Sequence, residues 1–320
     1  IALLGIDIEP VVRAGIARFP QDGGEADELL RRAETALAAT GRHAAAVRCY
    51  EPALDADPDD LALVRDFRRD GASGVDLVLQ PQVELAGGRI VGAEVLVRWQ
   101  HPRLGAVSPA RFVPLLERAG LVGTLTLHMI DLAAAAAAAL RRRGLGCRLS
   151  VNISAHDLLH GDLADAIAAA MARHGTRPAD LGFELTETSL AADGGGVRRR
   201  LEAIRDLGVS LSVDDFGTGY ASLAYLTEFP LDEVKIDRLF VADIRRSPRH
   251  AAVVDATLNL ARRMGLRSLA EGIEDARTLE TLRASGCEYG QGYYIGMPMA
   301  LADFIAFADE RCVSAAVQGH

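Results

Sequence analysis

Leu211-Ser212-Val213-Asp214-Asp215-Phe216-Gly217-Thr218-Gly219-Tyr220 joins a strand-like run to two adjacent carboxylates and a glycine-punctuated loop. Its first three residues read as the end of a buried β-strand. Neighbouring aspartates repel each other, so a chain that sets them side by side has a use for a cation. The glycines let the backbone turn sharply beside that charge. A solvated turn has much the same composition, so the surroundings must decide between a metal site and a turn.

Outward from this stretch, strand-like and helix-like segments alternate. The pattern predicts strands over 148–153, 181–186, 209–213, 233–236 and 267–270 and a short one near Tyr289. Helices are expected over 158–174, 196–207, 222–226, 250–264, 275–284 and 301–310. Upstream, apolar runs at 76–83 and 89–98 flank Ala86-Gly87-Gly88, a hairpin signal, and helical patterns follow at 109–119 and 123–143. Strands alternating with helices imply parallel pairing, and a closed β/α barrel needs ~250 residues. The expectation is a TIM-like (β/α)8 barrel with one antiparallel strand, contributed by the hairpin, plus a small α+β fragment at the N-terminus.

Composition is that of a soluble globular protein, 49% hydrophobic and 25% charged over 320 residues. A net charge of −9 argues against DNA or an anionic membrane as a general partner. Four cysteines without close pairing suit a reducing cytoplasm and offer no zinc or disulfide framework. The most apolar run, 121–140, is broken by His128 and Asp131 and reads as a packed helix rather than a membrane span. The chain lacks an initiating Met, which suggests a piece of a longer protein.

In a β/α barrel, functional side chains gather at the C-terminal ends of the strands. Those ends here carry Glu94, Asn152, Glu184, Asp214 with Asp215, Lys235, Glu271 and Gln291. Carboxylates and an amide oxygen form a hard, oxygen-only set that suits Mg²⁺ or Mn²⁺ rather than zinc. There are more carboxylates than one ion needs, which suggests two ions and phosphoester chemistry, with the lysine adding a charge for phosphate or water.

These residues stand in a recognisable series. Gly92-Ala93-Glu94-Val95-Leu96-Val97-Arg98-Trp99 resembles the signature of the EAL family of cyclic di-GMP phosphodiesterases, with Val in place of the middle Ala. Val151-Asn152-Ile153-Ser154, Glu184-Leu185-Thr186-Glu187, Asp214-Asp215-Phe216-Gly217-Thr218-Gly219, Lys235-Ile236-Asp237, Ala270-Glu271-Gly272-Ile273-Glu274 and Gln291-Gly292-Tyr293 follow in family order. The resemblance implies hydrolysis of cyclic di-GMP to linear pGpG, with Ca²⁺ binding but not supporting turnover. It implies Glu94, Asn152, Glu184 and Asp214 as ligands of a first ion, Asp214 and Asp215 at a second, and Lys235 on water or phosphate. Glu271 is then a general base or outer-sphere ligand, and Gln291 sits beside the metals and substrate. Glu187 is expected to support the 214–220 loop, and Gln80, Leu96, Arg98 and Asp237 to contact substrate. The alternative is a receptor that binds cyclic di-GMP without hydrolysing it. A homodimer through the barrel is expected by resemblance only.

Residues 1–54 differ from the rest. Ala14-Gly15-Ile16-Ala17-Arg18-Phe19-Pro20 and 26–37 resemble the C-terminal part of a GGDEF (diguanylate cyclase) domain, without the signature that names that family. No cyclase activity is expected of this stretch. The boundaries read as 1–54 for this fragment, 55–74 for a linker with a helix, and 75–320 for the barrel. An upstream GGDEF or sensor portion of the parent protein is the expected partner in cis.

Overall fold

The computed structural model describes residues 2–3, 6–7, 12–40, 46–52, 57–160, 162–190, 194–217 and 223–318. The chain divides into two compact units, Ile1–Arg65 and Asp66–His320, and helix Pro58–Asp70 runs through the dividing point.

In the first unit, strands Arg13–Ile16 and Ala46–Cys49 pair in parallel, Arg13 opposite Ala46 and Ile16 opposite Cys49. Helix Ala26–Ala38 packs against Arg13–Ile16. The approach is close because residue 15 is glycine: a Cβ there would sit 2.0 Å from the Ala33 carbonyl oxygen.

The second unit is an eight-stranded barrel. Its strands are β1 (Val75–Glu84), β2 (Ile90–His101), β3 (Arg148–Ile153), β4 (Leu181–Thr186), β5 (Ser210–Phe216), β6 (Glu233–Ile236), β7 (Arg267–Ala270) and β8 (Tyr289–Gln291). Strands β2 to β8 follow one another in parallel, and β1 closes the ring by pairing antiparallel to both β2 and β8. A short strand, Gly105–Val107, extends β2 outside the ring.

Successive side chains on a strand face opposite sides. Leu149, Val151, Phe183, Leu185, Leu211, Val213, Val234 and Ile236 form the outer face and are all buried. Burial of each such side chain is worth about 1.5–3 kcal/mol. Helix Val122–Arg142 packs on β1, β3 and helix Leu163–His174, with Ala133, Ala134, Ala136, Ala137 and Ala138 buried. Among the described residues it is the one helix long and apolar enough to cross a membrane, and 56% of its apolar window is buried within the protein.

Several elements differ from the sequence expectation, and strand Gly105–Val107 and helix Glu187–Leu190 lie outside it altogether. The helix expected over 158–174 is two, Ala155–His160 and Leu163–His174, the second begun at Asp162, whose backbone is non-helical (φ −90°, ψ 68°). A short helix, Arg238–Ala242, follows β6 because Asp237 caps it, accepting the Leu239 N–H at 2.7 Å. Strand β5 does not stop at Val213 but continues through Asp214 and Asp215 to Phe216.

Candidate metal and phosphoester site

The alternation that buries the outer face sends the other residues of each strand toward the barrel axis. Parallel partners share a face, and the register sets Glu94 beside Ser150, Asn152 beside Glu184, and Glu184 beside Ser212. A regular strand would point Asp214 and Asp215 to opposite sides. Instead the β5–β6 ladder slips between Val213 and Phe216, and Asp215 has φ 55°, the left-handed region that Asp tolerates better than most residues. The Asp215 N–H donates to its neighbour's Oδ1 at 2.9 Å. This bulge brings the ligand atoms of both aspartates within 4.8 Å of each other and of Glu271.

Lys235 is fully buried at the centre. Its Nζ touches Glu184 Oε2 and lies 2.6 Å from Glu271 Oε1, 3.1 Å from Asp214 Oδ2 and 4.0 Å from Glu94 Oε2. Burial opposes the lysine's charge, but Asp214, Glu184, Glu271 and Glu94 outweigh it and hold its pKa well above the ordinary value. The carboxylates pay the opposite way for crowding. Burial pushes Glu184 up to about 8, with Glu94 and Asp214 adding to it against the pull of Lys235. Glu271 is raised well above its usual value by burial and by Asp214 and Glu94. Asp215 rises to about 6 through burial, the charge of Asp214 and the Asp237 carboxyl against it.

Asn152 donates from Nδ2 to Glu94 Oε1 at 3.0 Å. Gln291 donates to Glu94 Oε2 at 2.6 Å and to Glu271 Oε1 at 3.0 Å, and accepts from Gln82 Nε2 at 2.9 Å. Two triads offer ligand atoms mutually within 4.8 Å: Glu94, Glu184 and Asp214, then Asp214, Asp215 and Glu271. Glu184 Oε1 is buried with no hydrogen-bond partner. An orphaned carboxylate oxygen among crowded carboxylates, of which Glu184, Asp215 and Glu271 are driven toward protonation, fits a hard divalent cation. Asp214 is common to both triads.

The structure thus brings together Glu94, Asn152, Glu184, Asp214, Asp215, Lys235, Glu271 and Gln291. Gln80 is buried opposite Glu94 in the β1–β2 ladder. Leu96 and Arg98 are half-buried further along β2, and Arg98 folds back to donate to the Val97 carbonyl at 2.8 Å. Asp237 both caps its helix and meets Asp215. The Glu187 side chain and residues 218–222 lie outside the described residues, so the expected support of that loop falls outside them too. Sequence reasoning missed Gln82. Its signal was weak: it lies two residues from Gln80, but the same strand also carries Asp76 and Glu84 at the same alternation.

The EAL domain family matches residues 63–298. Among proteins of known sequence, the chain is 39% identical over 226 residues to the cyclic di-GMP phosphodiesterase PA2567 of Pseudomonas aeruginosa, covering 71% of this chain and 38% of that protein. It is 34% identical over 297 residues to the bifunctional diguanylate cyclase/cyclic di-GMP phosphodiesterase MucR of the same organism, covering 91% and 43%. The chain spans less than half the length of these relatives. Among solved structures, the PaMucR phosphodiesterase in complex with c-di-GMP superposes with a TM-score of 0.72 at 35% identity, over 76% of this chain and 99% of that one.

Proposed function

Because the chain belongs to the EAL domain family, we propose that it is a phosphodiesterase that hydrolyses cyclic di-GMP to linear pGpG with two divalent cations, Mg²⁺ or Mn²⁺. The observation that carries this reading is the complete carboxylate ring around Lys235, divided into two triads that share Asp214. Phosphodiesterase relatives and the cyclic di-GMP complex of a related domain support the choice of substrate.

Glu94, Asn152, Glu184 and Asp214 would hold one cation, and Asp214 and Asp215 the other, with Glu271 beside it. Cations held there supply positive charge to the attacking water and to the phosphate oxygens. Glu271 is more open than Glu184, its side chain 15% exposed against 0%, and is the carboxylate that takes the water's proton. Lys235 balances the negative charge the ring gains as the phosphate enters. The water oxygen forms a new bond to phosphorus, one bridging P–O3′ bond breaks, and a proton ends on the leaving O3′. Gln80, Leu96, Arg98 and Asp237 complete the substrate side. On the same reading residues 1–54 are the tail of a GGDEF-like domain, 55–74 a linker and 75–320 the catalytic barrel, acting in the cytoplasm and able to pair with a second copy.

The test is a product assay on cyclic di-GMP with the metal varied. Linear pGpG is expected with Mg²⁺ or Mn²⁺ and not with Ca²⁺, whose larger, looser shell positions water poorly. Glu94→Ala, Asp214→Asn and Lys235→Ala should each lower turnover by at least ~100-fold while the chain stays folded. Tight binding of cyclic di-GMP without hydrolysis in either metal would overturn the enzyme in favour of a receptor.

A further inference from the structure

Gln82 is 1% exposed, among the most deeply buried polar side chains of the barrel, and contacts no proposed metal ligand directly. It stands on β1, the strand that runs against all the others. An antiparallel ladder sets partner residues directly opposite each other with side chains on one face. The register opposes Gln82 to Gln291 on one side and to Gly92 on the other. The glycine leaves the amide its space: a Cβ at 92 would lie 3.1 Å from Gln82 Oε1 and 2.5 Å from the Arg148 carbonyl oxygen.

A primary amide has a donor end and an acceptor end of nearly the same size, so its partners alone decide which way it faces. Gln291 Oε1 accepts from Gln82 Nε2 at 2.9 Å. Its Nε2 must then face the other way, where it donates to Glu94 Oε2 and to Glu271 Oε1. These carboxylates belong to different triads. Reversed, Gln291 would turn its oxygen toward the Glu94 and Glu271 carboxyls, and the single donor group that now clips the two together would be lost to both.

We propose that Gln82 is a positioning residue for the barrel mouth: its N–H fixes the sense of the Gln291 amide, which in turn fixes Glu94 and Glu271 relative to each other and presets both triads for divalent cations. This rests on the reading of the mouth as a cation centre. It also gives a role to the pairing of the reversed strand with β8, which sets Gln82 opposite Gln291.

The experiment is direct titration of the purified chain with Mn²⁺, without substrate, for wild type, Gln82→Met, Gln82→Glu, Gln291→Leu and the Gln82→Met/Gln291→Leu double variant. Gln82→Met matches the side chain in length and removes the donor, and should weaken Mn²⁺ binding by ~10–100-fold, the effect usual for partners that orient metal ligands. Gln82→Glu keeps the shape and offers Gln291 only acceptors, so its loss should be at least as large. Should Gln82→Met fail to fold, Gln82→Glu carries the same comparison. The double variant should bind no more weakly than Gln291→Leu, because Gln82 acts through that amide. Mn²⁺ affinity of Gln82→Met within about twofold of wild type, or losses that multiply in the double variant, would overturn the proposal. A wild-type chain that binds Mn²⁺ but leaves cyclic di-GMP intact removes the proposed reaction and leaves this test standing. One that binds no Mn²⁺ removes the cation centre and this proposal with it.

Discussion

Glu233 and Lys235 stand two residues apart on β6 and face two different buried charge clusters inside the same barrel. At the floor, Glu233 lies 2.8 Å from Arg148 Nη2 and 3.3 Å from Arg267 Nε, and Arg267 Nη2 donates to Ser210 Oγ at 2.6 Å. One carboxylate faces two guanidiniums there, each anchored at the start of its strand. At the mouth one ammonium faces Glu94, Glu184, Asp214 and Glu271, with Asp215 behind them. The floor's one excess positive charge is relieved by solvent, because the Arg267 side chain is partly exposed. The mouth's excess is negative, and it keeps a buried, unpartnered oxygen on Glu184. Uncompensated charge is costly in a protein interior, so its retention at the mouth supports the proposal that this end binds a cation and an anionic substrate.

The sharpest way to break this contrast is Glu233→Gln. It strands two largely buried guanidiniums, and loss of one partner from a buried ion pair costs about 3–5 kcal/mol. The lower end is expected, since the Arg267 side chain is 33% exposed. Chemical denaturation should show that loss, while turnover per folded molecule stays close to wild type. An unchanged denaturation midpoint would mean the floor holds nothing together.

A smaller effect separates the clusters by pH. Glu184 is raised from 4.5 to about 8 and Asp215 from 3.8 to about 6. A carboxyl with a raised folded-state pKa binds more protons folded than unfolded. Its stabilisation is fully present below the unfolded value and is lost as pH rises through the folded one. Without metal, thermal stability should therefore fall between about pH 5 and 8. Saturating Mn²⁺ should flatten or reverse that slope, because the cation needs the ionised carboxylates. Melting curves in chelator and in Mn²⁺ at the two pH values decide it; a metal-free midpoint that rises with pH would contradict the charge assignment.

The sequence made the ring of strands legible because both signals were local. Apolar runs such as Leu149–Ile153 bounded by helix patterns gave the alternation, and Ala86-Gly87-Gly88 gave the reversed strand. Most of the candidate residues were legible for the same reason, lying where an apolar run ends, whereas Glu94 and Gln80 lie inside longer strands and were legible from the motif and its flanks. What escaped depends on register, which no single segment encodes. Arg148, Glu233 and Arg267 lie far apart in sequence and meet only when β6 pairs with β7, which sets Glu233 beside Arg267, and the barrel closes to bring in Arg148 from β3. Gln82 reads as an unremarkable polar residue until β1 is paired with β8. The extension of β5 escaped because Asp-Asp-Phe-Gly carries a turn's composition, whereas the backbone continues as a bulged strand.

That bulge supports the last and smallest prediction. Asp215 is the non-glycine residue with positive φ among those described, and its side chain reaches the mouth because the backbone turns there. Asp215→Asn keeps a residue that tolerates the left-handed region and removes one crowded carboxylate. Its metal-free stability should match or slightly exceed wild type even as Mn²⁺ binding weakens. Asp215→Val also removes the carboxylate but adds a β-branched side chain that disfavours this conformation, at about 1–2 kcal/mol. The difference between the two variants therefore isolates the backbone from the charge. If denaturation midpoints of the Val and Asn variants coincide, the left-handed turn stores no preference for Asp. The convergence of Asp214 and Asp215 would then rest on packing around Phe216 alone.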